Sequence, residues 1–92
     1  MEIILTNVEE AGMPAEMAEN CKELISRRIQ KEFGGLPTAG AEVTILYSDK
    51  DPLGKTKEVD DTAYFIYFTV DHVEAPHGGD PHAGKVKLTL MM

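Results

Sequence analysis

The stretch PAEMAENCKELISRRIQKEFGG, Pro14–Gly35, decides the fold, because it is the one long segment with helical periodicity. Met17, Cys21, Leu24, Ile25 and Ile29 recur at spacings of three and four, so they share one broad apolar face. Pro14 suits the first helical position, where a missing N–H does no harm. Glu16 and Glu19 fall near the positive end of the helix dipole, and Arg27, Arg28 and Lys31 near the negative end. Gly34-Gly35 supplies a left-handed stop. A helix with one apolar face must lay it on another element, and the segments on either side read as strands.

On the N-terminal side, Glu2–Val8 holds the consecutive apolar residues Ile3, Ile4 and Leu5. That run predicts a strand buried on both faces or at the centre of a sheet. Beyond the helix, a connection rich in proline and glycine (Leu36–Gly40) leads to Glu42–Tyr47, where Val43, Ile45 and Tyr47 point one way and Thr44 and Leu46 the other. Thr62–His72 is the strongest strand. Its Tyr64, Ile66, Phe68 and Val70 alternate with Ala63, Phe65, Tyr67 and Thr69, and both sets are largely apolar. This predicts a central position or an aromatic face turned toward a partner. In Lys85–Met92, Val86, Leu88 and Leu90 face in while Lys85, Lys87 and Thr89 face out. The order β-α-β-β-β predicts an α+β two-layer sandwich, with a single α-helix on a mostly antiparallel four-stranded sheet. Residues 1–92 are expected to form a single domain, since two would each be too short to bury a core.

The composition excludes several function classes. With 42% apolar and 27% charged residues the chain is that of a globular protein, and its apolar runs are too short to span a bilayer. Sixteen acidic against nine basic residues give a formal charge of -7, the wrong sign for general nucleic-acid binding. One cysteine leaves no internal disulfide. The start, Met1-Glu2-Ile3-Ile4-Leu5, has no basic leader, so the expected location is the cytoplasm.

Candidate chemistry is sparse. His77, Asp80 and His82 in the loop Val73–Gly84 provide three donors that a metal could use, but their spacing matches no compact zinc motif, and exposed loop histidines are the simpler reading. Asp49, Asp51, Asp60 and Asp61 lack the central glycine and closing glutamate of a calcium loop. Cys21 lies on the apolar helix face and reads as a buried structural thiol. There is no phosphate-binding glycine loop and no nucleophile elbow. The expectation is a protein without catalysis, cofactor or metal.

Surface charge remains. The first 20 residues contain Glu2, Glu9, Glu10, Glu16 and Glu19 and no basic residue, whereas Arg27, Arg28 and Lys31 gather at the helix end. Dipole complementation and solubility explain this in part. A bipolar binding surface explains it equally well.

Within the helix, Glu23-Leu24-Ile25-Ser26-Arg27-Arg28-Ile29-Gln30-Lys31-Glu32-Phe33 resembles the helix of the DinI-like family, which carries a similar Ser-Arg-Arg-Ile-Gln core closing on phenylalanine. The flanking strands sit at matching places, so the resemblance covers roughly residues 1–50. The family consists of small acidic enterobacterial and phage proteins, and its founding member modulates the RecA filament through an acidic C-terminal helix. Here the second half is strand–loop–strand instead. The resemblance implies a shared strand–helix–strand frame and a phage or mobile-element origin. As a class, small acidic phage proteins without catalytic residues are similar to anti-CRISPR inhibitors of type I surveillance complexes.

The expected function is therefore non-enzymatic inhibition of such a complex of Cas proteins and guide RNA, in the cytoplasm of a host bacterium, blocking target DNA binding. Modulation of the recombinase filament and metal binding by the histidine loop are the alternatives. Arg27, Arg28 and Lys31 are expected to reach phosphate or carboxylate, the guide RNA backbone included. Asp49, Asp51, Glu58, Asp60 and Asp61 are expected to face basic residues of the partner.

Overall fold

A computed structural model describes residues 1–55, 61–76 and 84–91. The elements follow the order β1 (Glu2–Thr6), α1 (Ala15–Phe33), β2 (Glu42–Tyr47), β3 (Tyr64–Glu74) and β4 (Lys85–Leu90). The strands form one sheet in the order β1-β4-β3-β2. β2–β3 and β3–β4 are antiparallel, and β1–β4 is parallel. The expected α+β architecture is present, and the sheet is mostly antiparallel with one parallel pair. The parallel pair follows from the connection. Leaving β1, the chain crosses the sheet as α1 and returns at the opposite edge in β2, running along both edge strands.

α1 forms where the periodicity places it. Pro14 is the residue before the helix rather than its first member: its backbone is extended at ψ 150°, and its carbonyl accepts the first helical N–H, from Ala18. Gly34 ends the helix at φ 68°, and its N–H returns to the Gln30 carbonyl. A side chain at that φ would be strained, which is why glycine closes the helix. Cys21, Ile25 and Ile29 are wholly buried. They meet Val43, Ile45 and Tyr47 of β2, Ile66, Phe68 and Val70 of β3, Val86, Leu88 and Leu90 of β4, and Ile3 of β1 in one core cluster. Burying a side chain of this size is worth roughly 1.5–3 kcal/mol, so this layer holds the domain together.

β1 does not occupy the predicted place. It is an edge strand paired only with β4, and Ile4 is 39% exposed. The run Ile3-Ile4-Leu5 was expected to be buried on both faces, but α1 covers only one face of the sheet. Ile3 therefore turns inward, while Ile4 stands on the open face opposite Lys87. β1 also ends at Thr6 rather than Val8, because Asn7 turns to φ 67° and leaves the extended region.

β3 is internal, as expected, and its open face carries exposed aromatic side chains. It begins at Tyr64 and runs to Glu74, further than the alternation of Thr62–His72 suggests. The extension comes from a bulge at Asp71, which lets Val73 face the core opposite Val86. Asp71 stands on the open face with His72 beside it, and the Thr89 hydroxyl donates to the Asp71 carboxylate. The Thr6 hydroxyl donates to the Leu88 carbonyl at 3.2 Å, and its oxygen lies 2.9 Å from that of Thr89. β1, β4 and β3 are thus tied by side chains as well as by the ladder.

Candidate interaction surfaces

The cationic residues lie where α1 passes the open edge of β2. Arg27, Arg28 and Lys31 are all exposed. With Leu24 they form one wall of a groove of about 200 Å³, whose other wall is Thr44, Ile45 and Leu46. The two arginines are already engaged along the helix. Arg27 meets Glu23 at 2.8 Å, and Arg28 meets Glu32 at 2.6 Å. Exposed helix pairs at this spacing contribute about 0.3–0.5 kcal/mol each, little enough for a partner's carboxylate to displace the helix glutamate. Lys31 makes no ion pair among the described residues.

Arg27 has a second role. Its guanidinium donates to the Leu53 carbonyl at 2.6 Å and holds the β2–β3 connection against the helix. Turn chemistry shapes the same connection. The Ser48 hydroxyl accepts from the Lys50 N–H, its carbonyl from the Asp51 N–H, and the Asp51 carboxylate from the Lys55 N–H. Asp51 is half-buried, and its carboxylate accepts one local backbone N–H. Asp49 and Asp61 are exposed. Glu58 and Asp60 lie outside the described residues, as do His77, Asp80 and His82.

The structure brings together acidic residues that the sequence keeps apart. Glu16, from the first turn of α1, and Asp49, from after β2, line one hollow of about 270 Å³ with Pro14, Met17, Asn20, Tyr47 and Pro52. Glu9, Glu10 and Glu19 are exposed nearby in the chain. Asp49 also acts on Tyr64, whose phenol is held above its ordinary range first by desolvation and then by this carboxylate and by Tyr47. The acidic and basic sets therefore sit on one long helix side, with the pinned 48–55 connection beside them.

A third surface was only half legible. The face of the sheet away from α1 exposes Phe65 (60%), Leu46 (56%) and Tyr67 (48%). Leu46 is directly opposite Phe65 in the β2–β3 register, Thr44 opposite Tyr67, and the two rings approach at 6.5 Å. The apolar alternation of β3 predicted an aromatic face, but Leu46 and the neighbouring groove needed the register.

Cys21 is fully buried, and burial pushes its thiol up to about 11, which makes it a poor nucleophile. Among the described residues no group of three histidine, cysteine or acidic side chains could hold a metal, and no described helix is long and apolar enough to cross a membrane. Comparison with protein-family models, with curated proteins and with solved structures finds no match.

Proposed function

We propose that the protein is a non-enzymatic inhibitor that binds a multi-subunit nucleoprotein machine by its surface, with a type I CRISPR–Cas surveillance complex as the target, and keeps that complex from target DNA. The observation that supports this most is the bipolar arrangement along α1. Glu16 and Asp49 converge at its start, and Arg27, Arg28 and Lys31 line its second half, in a chain of formal charge -7. An acidic surface of this kind is drawn to lysine-rich DNA channels over about one Debye length, roughly 10 Å at moderate salt. The neighbouring cations would anchor to carboxylates or to guide RNA phosphates at the channel's rim.

The test is target DNA binding by a purified, guide-loaded surveillance complex titrated with this protein. Inhibition that weakens with added salt, and weakens again with Glu16→Lys combined with Asp49→Lys, is the expected result. Unchanged DNA binding at excess protein and low salt would remove the proposal. A recombinase-filament modulator is the competing reading, favoured by the β1–α1–β2 frame around Ser26–Gln30. A changed filament lifetime, with surveillance left intact, would select it.

A further inference from the structure

We propose that the open edge of β2 takes up an extended acidic segment of a protein partner as a fifth strand, with its carboxylates held by Arg28 and Lys31. The inference rests on the reading of the protein as a partner-binding module and specifies how that binding occurs. β2 pairs only with β3, so among the described residues alternate N–H and C=O groups along its other side have no strand to meet. An exposed edge is by itself only an opportunity. What makes this one selective is that it forms the wall of a groove whose facing wall is Leu24, Arg28 and Lys31. A strand laid there sends alternate side chains to opposite faces. One set enters the groove toward the cations. The other set extends the open sheet face beside Leu46 and Phe65, the two most exposed large apolar residues. The fitting segment therefore alternates acidic and apolar residues over about six positions, the length of β2.

Two other occupants fit less well. If a second copy paired through β2 about a two-fold axis, the two α1 helices would lie on the same face of the joined sheet. Arg28 and Lys31 of one copy would then confront the same residues of the other. A nucleic-acid strand has no peptide N–H and C=O ladder to offer and would leave the β2 edge unpaired. β1, the opposite edge, has no comparable flank, since it begins with Glu2 and is followed by Glu9 and Glu10.

The probe is a capped synthetic hexapeptide alternating glutamate and valine, titrated into the full chain and followed by amide NMR. Shift changes should concentrate at Thr44–Leu46 and Leu24–Lys31, with slowed exchange of β2 amides. Methylating the peptide's alternate backbone nitrogens, in one of the two possible registers, should weaken binding about tenfold or more, because strand addition needs those donors. Arg28→Glu combined with Lys31→Glu should weaken it comparably, while the amide spectrum shows the fold retained. The proposal is overturned by a lysine-for-glutamate peptide binding as well, by indifference to N-methylation, by no shifts at millimolar peptide, by oligouridylate binding more tightly in the groove, or by self-association through β2. Peptide binding here without any effect on the surveillance complex would sink the functional reading alone. Inhibition of that complex without peptide binding would sink this one alone.

Discussion

Raising the pH from 8 to 11 should destabilise this protein through one thiol. Cys21 is fully buried against the sheet, and its pKa in the folded protein is about 11 against an ordinary 9.0. The cause is desolvation: the thiolate has no water and no cation to stabilise it. Because the folded value is raised, the folded state holds this proton more tightly than the unfolded chain does. Its contribution to stability is fully present below pH 9 and is lost as pH rises toward 11. At about 1.36 kcal/mol per unit, the loss is roughly 1.4 kcal/mol at pH 10 and approaches about 2.7 kcal/mol well above pH 11. The measurement is urea unfolding of the natural chain and of Cys21→Ala at half-unit steps. The alanine variant should be less stable at pH 7 by on the order of 1 kcal/mol, from the lost sulfur contacts. That gap should close and then reverse with rising pH, because the variant has no thiol to ionise. Groups that do not sense Cys21 drop out of the difference; Tyr64 does sense it, since the thiolate is the smallest of the causes that raise its phenol. Stability curves that stay parallel from pH 8 to 11 would refute the reasoning and mean that Cys21 reaches solvent without unfolding.

Other substitutions test the packing and the pinned connection. Gly84→Ala places a Cβ 3.0 Å from the Glu74 carbonyl oxygen and 2.8 Å from a Leu36 methyl, so it should lower unfolding stability by about 1–3 kcal/mol even though Gly84 sits beside a strand. Phe68→Ala empties the centre of the core and should cost about 3–5 kcal/mol in chemical denaturation, whereas Phe65→Ala on the open face should cost far less. Arg27→Ala removes the bond to the Leu53 carbonyl; global stability should change by less than about 1 kcal/mol, while limited proteolysis within 48–55 accelerates. Equal cleavage rates in the two proteins would show that Arg27 does not hold the connection.

The architecture was legible because each element's pattern was local. The three-and-four spacing from Met17 to Ile29, the alternation in Glu42–Tyr47 and Lys85–Leu90, and the glycine stop at Gly34 each reflect a period set by backbone geometry, which needs no knowledge of neighbours. Of the candidate site, the residue types were legible: exposed arginines on α1, acids near its start, an aromatic β3. Their state was not. That the Asp51 carboxylate accepts from the Lys55 N–H depends on a turn that no single-residue preference reveals.

Strand order was decided only by the tertiary structure. Ile3-Ile4-Leu5 has the composition of a central strand, yet β1 became an edge because α1 carries the chain across the sheet and leaves one face bare. The same crossing set the Arg28–Lys31 turn of the helix against the free side of β2 and set Asp49 beside Glu16. Sequence fixes which side chains each element can bury, since periodicity is a property of one segment. Which segments become neighbours depends on contacts between residues far apart in the chain, where many pairings satisfy the same local pattern and the packing of the whole core selects among them.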